Sequence, residues 1–249
     1  MNFDSPFALQ HAQDKPWITL CCEHGGHRRP AHWELNGDEE RIFQDHWGWD
    51  PGAAPLTKQL ARILGADAII GNWSRLVADL NRPPGHPDLC REVAEGLPLT
   101  FNQNLSSAER RARLNQVHTP YHQALDALLE ARRPELLLSI HTFTPIFMGP
   151  KGPETRQVEL GVLFDDNEAL AQHLIKALLG GPLKVQANEP YSGKLGMIYS
   201  AQRHGRAHGL PYLELELRQD LLDTEAKVAR VTAALAPALS SLEGLGLRL

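Results

Sequence analysis

The feature that most constrains this chain is a recurrence of short, wholly apolar runs separated by amphipathic stretches of helical length. Residues 17–22 (WITLCC), 66–72, 136–140 (LLLSI), 158–164 and 212–217 read as strands. Strands apolar on both faces fit a parallel or mixed sheet covered by helices on each side, whereas a sheet with one wet face shows strict alternation. The helices read at 56–64, with Gly65 as the stop, at 119–133, with Thr119 as N-cap and Pro120 in the first turn, at 167–179 and at 224–242. The expectation is an α/β three-layer sandwich with a mixed, mostly parallel central sheet. No repeat, low-complexity segment or linker divides the 249 residues, so one catalytic domain, 1–249, is expected.

Composition narrows the class of function. Hydrophobic residues make up 42% and charged residues 22%, the balance of a globular protein rather than a disordered chain. A net charge of −5 with no basic block argues against a nucleic-acid partner. No apolar run approaches the roughly 18 residues of a membrane helix. Residues 1–15 lack the cationic start and apolar run of a secretory signal. Three cysteines, two of them adjacent in a strand, make no disulfide framework, so a reducing cytoplasm is expected. Twelve histidines are many for this length and point to metal or proton chemistry.

In sheets of this kind ligands gather beyond the carboxyl ends of the strands. The first strand delivers Glu23, His24 and, after two glycines, His27; the 136–140 strand ends at His141; the last strand carries Glu214 and Glu216 on one face. Gly25 and Gly26 would let the backbone approach a site closely. Two histidines from separate strands plus a carboxylate match catalytic zinc, which takes three protein ligands and leaves one position open. A second cluster, residues 74–82 (SRLVADLNR), precedes Pro83, Pro84 and Gly85 and puts Asn81 and Arg82 on a rigid turn. Arginine grips a carboxylate through two parallel hydrogen bonds, and asparagine adds a donor. The plainer alternatives are a turn with a surface salt bridge and a pair of solvated glutamates on an edge strand.

The chain also resembles a known family, the N-formylglutamate amidohydrolases. The matching segments are CEHGGHRRP (22–30), HWGWDPGA (46–53), SRLVADLNRP (74–83), PYH (120–122), SIHTFTP (139–145), the region of Arg156, NEPYSG (188–193) and LELELRQDL (213–221). That family is distantly similar to the zinc carboxypeptidases and to the aspartoacylase and succinylglutamate desuccinylase group. The resemblance implies their phosphorylase/hydrolase-like fold and a divalent metal, zinc on ligand type, with cobalt, nickel and manganese left open by affinity alone. It implies His24 and His141 as metal ligands, with Asp50 the preferred third and Glu23 and His27 the alternatives. Glu216 is implied as the catalytic acid–base, Glu214 as its rival or as a residue at the substrate. Asn81 and Arg82 would clamp the α-carboxylate of a small-molecule N-acyl amino acid. Arg75 would polarise the scissile carbonyl or reach another carboxylate, Arg156 would meet an acidic side chain, and His122 would hydrogen-bond a ligand residue. The implied reaction is N-formylglutamate and water to formate and glutamate; the alternatives are a hydrolase of the same fold acting on another N-acyl amino acid or a small peptide, and a metal- or ligand-binding relative without catalysis.

Overall fold

The computed structural model describes residues 5–149 and 152–245. The expected domain's outermost residues, 1–4 and 246–249, lie outside it, as does part of the stretch read for a secretory signal. The strands are β1 (Phe7–Gln10), β2 (Ile18–Cys22), β3 (Asp67–Gly71), β4 (Val93–Ala94), β5 (Leu97–Pro98), β6 (Leu136–Phe143), β7 (Ile146–Gly149), β8 (Gly152–Thr155), β9 (Leu160–Leu163), β10 (Val185–Ala187) and β11 (Tyr212–Arg218). The helices are α1 (Gly37–Gln44), α2 (Ala53–Leu64), α3 (Ser107–Arg113), α4 (Thr119–Arg132), α5 (Glu168–Leu178), α6 (Tyr199–His208) and α7 (Glu225–Ser240).

Seven strands form the central sheet in the order β1-β3-β2-β6-β11-β9-β10, flanked by two small ribbons, β4–β5 and β7–β8. The four middle strands, β3, β2, β6 and β11, run parallel. Strand β1 pairs antiparallel with β3, and β9 antiparallel with β11. The mixed, mostly parallel three-layer arrangement is therefore present. Alternation along each strand divides its side chains between two cores. Ile18, Leu20, Leu138, Ile140, Leu213 and Leu215 join the core under α2, α5 and α7. Cys21, Leu137 and Tyr212 face the opposite way, with Tyr121 and Leu125 of α4 and Ala201 of α6. On that second face the polar residues Ser139, His141, Glu214 and Glu216 follow the apolar ones towards the strands' carboxyl ends, all buried.

Three local expectations need correction. His141 does not end its strand: β6 continues to Phe143 because it pairs with β11 from Leu137 with Tyr212 through Phe143 with Arg218. Thr119 is not an N-cap either. It has helical dihedrals and lies within a continuous helical path that starts at α3, and its N–H donates to the Leu114 carbonyl in a wide π-helical turn over Leu114–His118. Pro120 lacks an N–H and crowds the carbonyl four residues back, and a widened turn just ahead of it accommodates both defects. Finally, Gly25 and Gly26 serve packing within the chain. A Cβ on Gly26 would strike the backbone of Asn72 at the end of β3, where Arg28 N donates to Asn72 O at 3.1 Å. The three cysteines are free and buried, as expected of small core residues. Among the described residues no helix is long and apolar enough to cross a membrane.

Candidate active site

The site is built on β2, β6 and β11 and on the loops that follow β2 and β3. Parallel pairing sets Glu214 beside Ser139 and Glu216 beside His141. Glu23 and His24 follow β2 directly. Asp50 precedes α2, and its backbone N–H donates to the His24 carbonyl at 2.9 Å, which ties the two segments together. These contacts converge on one carboxylate. Asp50 Oδ2 lies 2.9 Å from His141 Nδ1, and Asp50 Oδ1 lies 3.6 Å from His24 Nδ1. The two imidazole rings stand 4.7 Å apart, nearly perpendicular. His24, Asp50 and His141 are all buried, and one ligand atom from each falls within 4.8 Å of the others.

The far nitrogens of both imidazoles face other carboxylates. His24 Nε2 is 2.7 Å from Asp79 Oδ1, and His141 Nε2 is 3.1 Å from Glu23 Oε2. Asp79 is in turn held by Arg75 Nη2 at 2.9 Å and by the Asn81 N–H at 2.8 Å. Glu23 accepts from Ser139 Oγ at 2.7 Å and from the Tyr121 hydroxyl at 3.3 Å. A carboxylate only accepts, so each Nε2 carries the ring proton. In the neutral imidazoles both Nδ1 lone pairs then point at the oxygens of Asp50, an arrangement that requires a cation between them. His24 Nδ1 is indeed a buried atom with no hydrogen-bond partner among the described residues. Without a metal a proton fills the role: although burial opposes it, Glu214, Asp50 and Glu23 hold the His141 pKa well above the usual imidazole range.

The carboxylates divide by environment. Burial would raise Glu23, but hydrogen bonds and charge from His141, with help from Ser200 and Ser139, bring it well below the usual range. Burial also opposes ionisation of Asp50, yet His24 and His141 hold it low. Glu214 rises to about 7 through burial and, against the attraction of His141, repulsion from Glu23. Glu216 is also raised, well above its ordinary value, by burial, His141 again opposing, with Glu214 and Asp50 adding repulsion. Glu214 Oε2 accepts from Asn81 Nδ2 at 3.3 Å, whereas Glu216 Oε2 is buried and unpartnered among the described residues.

The other residues singled out by sequence fall as follows. Asn81 spends its side chain internally: Nδ2 also donates to Met197 O at 3.2 Å, and Oδ1 accepts from Ser200 N at 2.8 Å. Arg82 donates to the Asn81 carbonyl at 2.9 Å and keeps a buried Nε with no partner among the described residues. Arg75 is drawn to Asp79 and stands 3.6 Å from Asp50. Arg156 lies against the rings of Phe143, Phe147 and Tyr191 and donates to the Tyr191 hydroxyl at 3.3 Å. His27 is exposed and packs on Trp49, away from the two imidazoles. His122 meets His204 Nε2 and the Leu80 carbonyl, at 2.8 and 3.1 Å, rather than a residue of the cluster. Asp79 and Ser139 are participants that sequence reasoning passed over; the polar Ser139 inside an otherwise apolar strand was the available signal.

Fold and site together define a class, a mixed-sheet α/β sandwich with a buried His–His–carboxylate cluster at its parallel strand ends that could hold a metal ion. Residues 16–222 match the N-formylglutamate amidohydrolase family, and the chain belongs to it. An N-formylglutamate deformylase of Pseudomonas putida is 36% identical over 89 residues, which cover 32% of this chain and only 33% of that relative. The crystal structure of a gene product of Agrobacterium tumefaciens superposes with a TM-score of 0.86 at 29% identity, covering 96% of this chain and 97% of the other. An N-formylglutamate amidohydrolase from Ralstonia eutropha shares the fold, with a TM-score of 0.75 at 19% identity over 96% and 98% of the two chains.

Proposed function

We propose that this chain hydrolyses the amide of N-formylglutamate to formate and glutamate, with a divalent ion, zinc on ligand type, held by His24, His141 and Asp50. The observation that carries the metal is the convergence of two Nδ1 lone pairs on Asp50 while both Nε2 atoms are committed to carboxylates. A metal-bound histidine ordinarily donates its other N–H to a carboxylate in this way. The donor set is the nitrogen and oxygen set of catalytic zinc sites. When bound, the ion supplies Lewis acidity to the acyl carbonyl and to water.

The chain's own residues supply the rest. Glu216 receives the proton of the attacking water and returns it to the departing amine; its unpartnered Oε2 and raised pKa suit a group that must hold a proton for part of the cycle. Glu214, tied to Asn81, holds its place behind His141. Arg75 offers positive charge to the developing oxyanion. Arg82, with its free Nε, takes the α-carboxylate, and Arg156 takes the side-chain carboxylate. Asn81 positions Glu214 and the start of α6 rather than presenting donors to the substrate. Several arginines around one pocket account for the capture of a dianion by a net-negative chain.

The test is a formate-release assay over a panel of N-acyl amino acids, run on protein whose metal content is counted. N-formylglutamate should be the best substrate and activity should follow the metal. Preference for a longer acyl group or a small peptide would redirect the substrate assignment, and full activity without metal would end the proposal.

A further inference from the structure

Outside the site just described, α4 and α6 bring together a second group of ligating side chains. Asp126 comes from α4, and His204 and His208 are one turn apart on α6, with one ligand atom of each within 4.8 Å of the others. Asp126 Oδ1 is 2.7 Å from His204 Nδ1 and 3.1 Å from His208 Nε2. His204 is fully buried, while Asp126 and His208 are partly open to solvent, so an ion could enter. Asp126 Oδ2 accepts from Arg203 Nη2 at 2.9 Å, and Oδ1 meets the same guanidinium only through a longer contact from Nη1 at 3.4 Å.

A count of ring protons supplies the second observation. His122 Nε2 faces the Leu80 carbonyl at 3.1 Å, and a carbonyl only accepts, so that nitrogen carries a hydrogen. His122 Nδ1 and His204 Nε2 are 2.8 Å apart and need one hydrogen between them. With that hydrogen on His204 Nε2, the Nδ1 lone pair faces a carboxylate, and a cation must stand between them. In the metal-free chain Arg203 fills that role: its Nη1 lies 2.9 Å from His204 Nδ1, 2.8 Å from Nε2 and 3.4 Å from Asp126 Oδ1. A metal on His204 Nδ1 takes the place of that guanidinium. His204 Nε2–H then donates to His122 Nδ1, and His122 Nε2–H donates to Leu80 O, with both rings neutral. That is the outer hydrogen-bonding pattern of a metal-bound histidine. Arg203, whose side chain is partly exposed, gives up its contact with the ring and keeps the one to Asp126 Oδ2.

We propose that Asp126, His204 and His208 form a second binding site for a divalent first-row transition ion. Two imidazoles and one carboxylate select zinc, nickel or copper over magnesium or calcium. Through His122 the site braces the Leu80 carbonyl, next to Asn81 and Arg82, so its occupation steadies the turn that carries the proposed substrate arginine.

The experiment is equilibrium dialysis of the whole chain against Zn2+, followed by metal counting in the wild type and in His208→Ala, Asp126→Ala and His141→Ala. The wild type should hold two equivalents and each variant one. One equivalent in the wild type that persists in His208→Ala and disappears in His141→Ala overturns the second site and leaves the catalytic reading standing. Two equivalents retained by both His208→Ala and Asp126→Ala also overturn it. One equivalent lost in His208→Ala and kept in His141→Ala supports the second site and removes the catalytic metal.

Discussion

Glu216 stands directly across from His141 in the parallel register of β11 and β6, on the same face of the sheet and buried beside it. The pairing juxtaposes a carboxyl whose Oε2 has no hydrogen-bond partner among the described residues and an imidazole committed on both nitrogens. Two residues earlier on each strand, Glu214 stands across from Ser139, and there the carboxylate is engaged by Asn81. Position along two strands thus separates a carboxyl with an unengaged Oε2 from one held in place by Asn81.

Replacing Glu216 by glutamine should therefore retain the metal and lower kcat by about 10²–10⁴-fold, the range typical of a general acid–base. Glu214→Gln should cost less in kcat. Metal counting beside steady-state kinetics on N-formylglutamate checks both, and a larger kcat loss in Glu214→Gln would reverse the assignment.

Asp79 is the outer anchor of His24, at 2.7 Å. Asp79→Asn preserves the shape and removes the charge that fixes the ring's tautomer. Metal affinity should fall by about 10–100-fold, the usual effect of losing such an anchor. Competition with a chromophoric chelator measures it; unchanged affinity would mean that His24 needs no orientation from Asp79.

Arg82→Ala should raise KM with little change in kcat, because a carboxylate contact made equally in ground and transition states contributes uniform binding. Arg82→Lys should recover only part of the loss, since an ammonium cannot reproduce the bidentate fork. A KM indistinguishable from wild type in Arg82→Ala would place the α-carboxylate elsewhere.

How much of this was legible in the sequence follows from the range of each interaction. The apolar runs showed the sheet because strands buried on both faces need no partner to be recognised. The shared face of Glu214 and Glu216 followed from the period of a strand. The internal engagement of Asn81 was not legible because what uses its amide lies far along the chain, at Met197, Ser200 and Glu214. Thr119-Pro120 reads locally as a helix start, and only the preceding wide turn lets the helix pass through it. Asp50 entered through family resemblance; its position between two imidazoles depends on β2, β6 and the loop before α2 closing together, which no local pattern encodes.

Stability of the metal-free chain should depend on pH in a direction set by the buried groups. Glu214 moves from its ordinary value of 4.5 up to about 7 on folding, chiefly by burial. A raised carboxyl favours the fold most below its unfolded pKa, and that contribution is lost as pH climbs from about 4.5 to 7. His141, also raised, extends the loss to higher pH. Glu23 and Asp50 are depressed, so their contributions are present above their ordinary values of 4.5 and 3.8 and are lost as pH falls. The chelated protein should be most stable near pH 5 and should weaken towards neutrality, where Glu214→Gln should show a flatter profile. Denaturant midpoints from pH 4 to 8 in excess chelator measure this. A wild-type midpoint that rises between pH 5 and 7 would contradict the buried, proton-holding state assigned to Glu214.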